Sequence, residues 1–127
     1  SGNIKIDSAS SKDTRISANS GDVSLGDVVT DNVDLKTSSG NITSGSIKAK
    51  RINGRASSGD VMIRDCDASE INIMTKSGDV SIGIGSEMKY EYTTKTSSGD
   101  VNVPDSVKGA DGKCNIETSS GDIDVTR

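Results

Sequence analysis

The sequence predicts an all-β protein: a single-stranded parallel β-helix, or solenoid, of about six coils with 19–22 residues each. Three observations predict it. A Ser-Gly-Asp/Asn-Val/Ile motif occurs seven times, apolar residues recur at fixed distances from its glycine, and no segment has the 3.6-residue period of a helix. A fixed period of about 20 residues is typical of repeat proteins in which each unit stacks on the next.

The motif glycine sets the coil boundaries. Successive motif glycines are 19, 19, 19, 19, 21 and 22 residues apart. The predicted coils are 2–20, 21–39, 40–58, 59–77, 78–98 and 99–120, with 121–127 starting a seventh. Residues 1–127 thus form one repeat domain, and because the chain begins and ends within the repeat we expect it to be a fragment of a longer protein. The general rule for parallel crossovers favours a right-handed path.

Two short strands are predicted in each coil. Positions two and four after the glycine are apolar in almost every repeat and alternate with polar residues, as in a strand with one buried face. Positions seven, five and three before the next glycine form the inward columns of the second strand. Turns are predicted five residues after the glycine, at Gly26, Gly45, Gly83 and Pro104. The longer segments 86–92 and 107–113 are expected to bulge from one flank while the coils stack in sequence order.

The motif itself is predicted to form the corner between coils. Glycine adopts positive φ without steric cost, and Asp or Asn tolerates the left-handed region and bonds backbone amides. The corner glycines are Gly21, Gly40, Gly59, Gly78, Gly99 and Gly121. Stacked corners would align carboxylates such as Asp60, Asp79 and Asp100, and a Ca²⁺ ion between rungs would relieve their repulsion. Turn capping is the simpler role, and we predict neither a metal nor a cofactor.

Composition excludes several function classes. The formal charge is −4 and the fifteen Lys and Arg residues are scattered, which argues against nucleic acid as a partner. No stretch is apolar enough for a membrane span, so we predict no membrane insertion by this segment, and no signal peptide is recognisable. With 30 % hydrophobic residues and neither Phe nor Trp, the core must be thin.

The two cysteines, Cys66 and Cys114, fall in the predicted fourth and sixth coils and in different columns. Two rungs correspond to roughly 10 Å along the axis, beyond the span of a disulfide. Neighbouring repeats carry mainly apolar residues in both columns. We therefore predict two buried free thiols that act as small hydrophobic side chains.

No catalytic constellation is visible in the sequence. The chain has no His, which removes the commonest general base and every Ser-His or Cys-His pair, and we predict that it is not an enzyme. Arg51, Arg55 and Arg64 are candidates for one interaction flank, although they also fit ordinary solvated charge. Tyr90 with Met88 forms the bulkiest cluster; these two residues either contact a partner or, with Tyr92 in an inward column, cover the core.

The repeated "TSSGDV" words with strand-like flanks resemble the bacterial adhesin-like family of β-strand repeats (DUF4097 type). The resemblance covers essentially the whole chain and rests on the corner motif, so it carries over no functional residues. It implies a β-helical segment of a cell-envelope or extracellular protein. The corresponding partner is a protein or a glycan at the cell surface.

Two functions follow as hypotheses. The first is a non-catalytic, adhesin-like structural and interaction module, with end-to-end or edge self-association as a further means of covering its open ends. The second is a carbohydrate-binding or polysaccharide-active β-helix. The second requires a groove on the arginine-bearing flank and an exposed aromatic side chain, and a buried Tyr90 without a groove would exclude it.

Overall fold

A computed structural model describes residues 3–84, 90–103, 108–110 and 112–126. These residues form parallel β-strands, and no helix occurs among them. The strands are β1 (Ile4–Ser20), β2 (Val23–Ser39), β3 (Ile42–Ser58), β4 (Val61–Ser77), β5 (Val80–Ile84), β6 (Tyr90–Ser98), β7 (Val101–Asn102), β8 (Gly112–Ser120) and β9 (Ile123–Thr126). The described residues contain no helix that could cross a membrane.

The first four strands are coils 1 to 4 of a parallel β-solenoid. Each has 17 residues, and from β1 to β4 the paired residues of adjacent strands are 19 positions apart. The predicted row of Val23, Ile42, Val61 and Val80 is continuous, with all four side chains at most 1 % exposed. The solenoid of about six turns is therefore confirmed, although the two strands expected per coil form one long pleated ladder in coils 1 to 4.

The last three repeats stack out of sequence order. β4 pairs with β5 through its first half, but through its second half it pairs with β8 and not with β6. We call β5 and β8 together layer 5. β9 pairs with β5 and β6 pairs with β8, so β9 and β6 form layer 6, and β7 pairs with β9 as the start of layer 7. β8 therefore lies between coil 4 and the earlier strand β6, and β9 lies between β5 and the earlier strand β7.

This order corrects the expectation that the coils stack as they follow in sequence. Ile116 lies beside Ile73 and is 2 % exposed, whereas Thr94 lies on the outer side of Ile116 and is half-buried. Sequence order would have buried Thr94 between two coils and left Ile116 nearer the end. The observed order places the more apolar strand inside, where its burial stabilises the fold most.

The corners confirm the role predicted for glycine. The six corner glycines have φ between 126° and 142°, and among the described residues no other residue type has positive φ. At five of them, from Gly40 onward, an added Cβ would lie 2.0–2.1 Å from the carbonyl oxygen of the stacked glycine. The corner thus requires glycine for two reasons, the backbone angle and the close approach of the adjacent corner.

Asp and Asn serve the corner differently from the expectation. They do not adopt the left-handed conformation; instead each side chain accepts a hydrogen bond from the backbone N–H of the equivalent residue in the next rung. The Oδ1 atoms of Asn3, Asp22, Asn41, Asp60, Asp79 and Asp122 each accept such a bond, at 2.8–2.9 Å. We call this row the Asx ladder. It joins coils to one another and follows the spatial order, since Asp122 lies between Asp79 and Asp100.

Both cysteines are free and buried, as predicted. The distance argument behind that prediction was wrong, because β8 stacks directly on β4 and the two residues lie on adjacent rungs. Burial raises the pKa of each thiol to about 12. A thiol with so high a pKa stays protonated at neutral pH and is a poor nucleophile.

Ser44 offers a stabilising substitution. It occupies the inward column between Leu25 and Ile63, is fully buried, and its Oγ has no hydrogen-bond partner among the described residues. Replacing Ser44 by Val should raise the free energy of unfolding by about 1–2 kcal/mol, because it removes an unsatisfied buried hydroxyl and adds apolar contact. Urea unfolding would measure the gain. Thr43→Val, on the solvent face of the same strand, is the matched control and should change little; a Ser44→Val protein no more stable than wild type would contradict the assignment.

Candidate functional site

A groove of about 750 Å³ crosses the outward face of the second half of the coils. Its lining comes from β2, β3, β4, β8 and β6, which are five successive rungs of the stack. Its polar and charged lining residues are Asp34, Lys36, Asn53, Arg55, Asn72, Thr93, Lys95, Asn115 and Glu117, with the thioether of Met74 among them. We call this surface the groove face.

An amide ladder forms the centre of the groove face. Asn72 Nδ2 donates a hydrogen bond to Asn53 Oδ1 at 3.2 Å, and Asn115 Nδ2 donates to Asn72 Oδ1 at 3.0 Å. The three amides share one column because β8 stacks on β4, with Asn115 as the register partner of Asn72. Ladders of this kind fix side-chain rotamers, so the groove presents a preorganised row of amide groups.

Charged residues and a methionine flank the amide ladder two positions further along each strand. In stacking order this column is Lys36, Arg55, Met74, Glu117 and Lys95. Met74 is 43 % exposed and has a cation in the adjacent rung, at Arg55. The groove therefore offers amide, cationic, carboxylate and apolar groups side by side, a combination suited to a polar extended ligand.

At one margin of the groove a small network anchors the ladder. Arg51 Nε donates to Glu70 Oε2 at 3.2 Å, and Asn72 Nδ2 donates to Glu70 Oε1 at 3.1 Å. The hydrogen bond from Asn72 lowers the pKa of Glu70, and the positive charges of Arg51 and Lys113 act in the same direction, against a smaller opposing effect of burial. The network thus favours the ionised carboxylate and holds Asn72 in the ladder.

The lowered pKa predicts a pH dependence of stability. The ionised Glu70 carboxylate contributes to the free energy of unfolding. This contribution is fully present above its ordinary pKa of 4.5 and is lost as the pH falls through the lower folded-state pKa. Glu70→Gln should therefore be less stable than wild type at neutral pH, by less than about 1 kcal/mol because the pair is exposed, and the difference should shrink in acid. Thermal melts of both proteins across this pH range test the prediction. A difference in melting temperature that does not change with pH would contradict it.

The family of Toastrack DUF4097 domains matches residues 1–127. The chain belongs to this family. The resemblance drawn from the corner motif therefore named the family correctly. No curated protein and no solved structure matches the chain.

Tyr90 of this Toastrack domain is a core residue and not an exposed contact residue. It is fully buried, and its hydroxyl donates a hydrogen bond to the backbone carbonyl of Ala68 in coil 4. Gly112, its register partner in layer 5, has no side chain, so the ring extends past layer 5 to coil 4. Tyr92 lies in the inward column opposite Cys114, as predicted. Met88, the other member of the predicted cluster, lies outside the described residues.

The three predicted arginines lie in different columns of the Toastrack domain. Arg55 lines the groove, Arg51 pairs with Glu70 at its margin, and Arg64 is exposed on coil 4 outside the groove lining. The structure therefore brings Arg51 and Arg55 to one face, and Arg64 does not join them. The carbohydrate hypothesis required a groove on this flank together with an exposed aromatic residue; the groove is present, whereas Tyr90 is buried.

The aspartate column proposed for calcium follows a different order from the expected one. Asp60 and Asp79 are adjacent, but Asp122 separates Asp79 from Asp100. One side-chain oxygen of Asp60 and one of Asp79 each accept a hydrogen bond from a backbone N–H of the next rung, so these oxygens join coils and do not cap their own turns. Among the described residues no group of three or more potential metal ligands occurs.

Sequence reasoning did not identify the amide ladder. Its signal was present, because Asn53, Asn72 and Asn115 each stand six residues before a motif glycine. Sequence order would have placed Thr93 between Asn72 and Asn115 and interrupted the row. Only the stacking of β8 on β4 makes the column continuous.

Proposed function

We propose that this domain is a non-catalytic, adhesin-like interaction module of the cell envelope or of an extracellular protein. The groove face supports the proposal most directly. It extends over five rungs of a solenoid whose coils are held by continuous backbone ladders, so its groups keep fixed spacings and pay little ordering entropy on binding. Such a surface suits a partner with an extended shape, either a protein segment or a glycan.

The positions of the groove carboxylates support a non-catalytic role. Asp34 lies in coil 2 and Glu117 in layer 5, three rungs apart, which corresponds to about 14 Å along the axis. Paired carboxylates in glycoside hydrolases stand no more than about 9.5 Å apart. Asp34 is also close to Arg15, at 3.7 Å from Nε to Oδ2. We therefore expect no hydrolysis of polysaccharides by this pair.

Carbohydrate binding without turnover is the second candidate, and the amide ladder favours it. Asn53, Asn72 and Asn115 supply donors and acceptors in a row, and Asn side chains hydrogen-bond sugar hydroxyls in both senses. The exposed thioether and methylene groups of Met74 add a small apolar contact for a sugar ring. Measuring binding to a glycan array and, separately, binding to envelope proteins would separate the two partner classes.

Matched pairs of variants test the groove itself. Arg55→Ser and Met74→Ser alter the groove, and Arg64→Ser and Met62→Ser change the same residue types at exposed positions outside its lining. The probes are bacterial cell-wall polysaccharides and solubilised envelope proteins. We expect the groove double variant to bind about tenfold more weakly or worse, and the control double variant to bind like wild type. Equal binding by both would contradict the proposed site, and turnover of a polysaccharide would contradict the non-catalytic role.

A further inference from the structure

The amide ladder of the groove face has a direction. Asn115 Nδ2 donates to Asn72 Oδ1, and Asn72 Nδ2 donates in turn to Asn53 Oδ1, so both bonds between rungs run toward coil 2. The ladder ends in coil 3 with Asn53 Nδ2, which has no acceptor among the described residues. It begins in layer 5 with Asn115 Oδ1, which accepts no bond from those residues. One end of the ladder, the donor end, therefore offers N–H groups, and the other offers a carbonyl oxygen.

Two cations lie beside the donor end. Lys36 in coil 2 and Arg55 in coil 3 are register partners, and Arg55 follows Asn53 by two residues on the same face of its strand. Both are exposed, and within the described ranges neither lies within ion-pair distance of a carboxylate. Like charges on adjacent rungs, about 4.8 Å apart, repel each other. A bound anion would remove this repulsion and would accept hydrogen bonds from both cations and from the Asn53 amide.

Two carboxylates limit how much negative charge the groove accepts. Asp34 borders the donor end in coil 2, where it is close to Arg15, at 3.7 Å from Nε to Oδ2. Glu117 lies in layer 5, two rungs or roughly 10 Å from Arg55, in the column that also contains Arg55. A ligand with a second anion about two rungs beyond the first would meet the Glu117 carboxylate. The lining thus favours one anionic group with neutral groups beyond it.

A glycan suits this face of the sheet better than a peptide does. The backbone groups of β2, β3, β4 and β8 are paired with one another in parallel ladders. A peptide that crosses the groove therefore cannot add as a strand, which is how extended peptides gain main-chain hydrogen bonds at a sheet. Recognition has to use side chains. The side-chain amides both donate and accept, as sugar hydroxyls do, and they recur on successive rungs.

We propose that the groove face binds an acidic glycan in which uronate and neutral sugars alternate; the inference rests on the proposed binding role of this face. The uronate carboxylate lies at the donor end, where Lys36 and the planar fork of Arg55 bind it and Asn53 Nδ2 donates to it. Hydroxyls of the adjacent neutral sugar bond the rest of the amide ladder. Glu117 accepts a bond from a hydroxyl of that sugar and repels a uronate in the same position.

Three hexasaccharides that differ in charge pattern test the ligand class. In the hyaluronan hexasaccharide uronate and neutral sugars alternate, in the galacturonate hexasaccharide every sugar is charged, and the chitin hexasaccharide is neutral. Isothermal titration calorimetry measures the Kd of each for the intact chain. We expect the alternating hexasaccharide to bind at least about tenfold more tightly than the other two. Equal or tighter binding of the neutral or of the fully charged hexasaccharide would overturn the proposal.

Charge-matched double variants locate the uronate. Lys36→Gln with Arg55→Gln removes both cations at the donor end, whereas Lys48→Gln with Arg64→Gln removes two exposed cations outside the groove lining. The two proteins have the same net charge, and thermal melts establish that both fold. The groove pair should bind the alternating hexasaccharide at least about tenfold more weakly, and the control pair should bind like wild type. Equal affinities of the two double variants would contradict the assigned position.

A third variant tests the selectivity assigned to Glu117. Glu117→Gln removes the carboxylate that repels a second uronate, so it should raise the affinity for the galacturonate hexasaccharide by about fivefold or more. Asp65→Asn, which removes an exposed carboxylate outside the groove lining, is the control and should not change that affinity. A Glu117→Gln protein that discriminates against the fully charged hexasaccharide as strongly as wild type would contradict the role of this carboxylate.

The acidic-glycan inference and the proposed function can fail separately. If no hexasaccharide binds but Arg55→Ser with Met74→Ser weakens binding to envelope proteins, the inference is wrong and the interaction module stands. A hexaglutamate peptide that binds more tightly than the alternating hexasaccharide would likewise overturn the ligand class and leave the groove as the binding site. If the groove variants weaken no binding at all, both proposals are wrong.

Discussion

Gly59→Ala is expected to lower the free energy of unfolding by more than about 4 kcal/mol, a loss that few single substitutions reach. Gly59 has φ 137°, which by itself costs a residue with a Cβ on the order of 1–3 kcal/mol. In addition the new Cβ would lie 2.0 Å from the carbonyl oxygen of Gly40 and 2.7 Å from its carbonyl carbon. Both atoms belong to the backbone of a stacked corner, so they cannot move aside without separating coils 3 and 4.

Gly109→Ala is the control that separates the two causes. Gly109 also has positive φ, at 77°, but an added Cβ there would meet no atom within 4 Å. Its substitution should therefore cost only the conformational strain, about 1 kcal/mol. Guanidinium unfolding and amide hydrogen exchange would measure both proteins, with the loss in Gly59→Ala concentrated in coils 3 and 4. Equal losses in the two variants would show that the corners are not in contact.

Tyr90→Ala is expected to cost about 3–5 kcal/mol, the range for deleting a large buried aromatic side chain. Tyr90 is fully buried, and its hydroxyl bonds the backbone of Ala68 although its own strand lies two rungs away from coil 4. The side chain therefore joins the out-of-order segment to the regular coils. Tyr90→Phe should cost less, about 1–2 kcal/mol, since it keeps the ring and leaves the Ala68 carbonyl without this donor.

Urea unfolding followed by circular dichroism would measure the Tyr90 series. The graded order wild type, Tyr90→Phe, Tyr90→Ala is the expected result. Glu91→Ala, the exchange of the adjacent, more exposed side chain, serves as a control and should have a small effect. If Tyr90→Ala were as stable as Glu91→Ala, Tyr90 would have to be an exposed residue, which is one of the two alternatives that the sequence left open.

Most of the fold could be predicted because each coil repeats the same pattern of buried apolar positions and the same glycine corner. The apolar positions beside Gly21, Gly40 and Gly59 recur at a constant spacing, and stacking the repeats buries them in continuous rows. The corner also follows from local chemistry, since only glycine adopts its φ. The hydrogen bonds of the Asx ladder were not foreseen, because turn chemistry suggests partners nearby in sequence and the actual partner is 19 or more residues away.

The order of the last repeats could not be read from the repeated motif. Every repeat carries equivalent corners, so the motif allows β6 or β8 to stack on β4. Which strand stacks on β4 depends on differences between the repeats. Chiefly, burial in an interior position stabilises the fold more at Ile116 and Val125 than at Thr94. The groove face was missed for the same reason, because its amide ladder exists only when Asn115 lies next to Asn72.

The stacking of β8 between β4 and β6 underlies the groove and the buried Tyr90. Nuclear Overhauser effects between backbone protons of adjacent strands test it most directly. We predict contacts from Ile73 to Ile116 and from Ile116 to Thr94, with none from Ile73 to Thr94, which are two rungs or roughly 10 Å apart. Direct contacts between Ile73 and Thr94, without contacts between Ile73 and Ile116, would show that the coils stack in sequence order and would contradict the account.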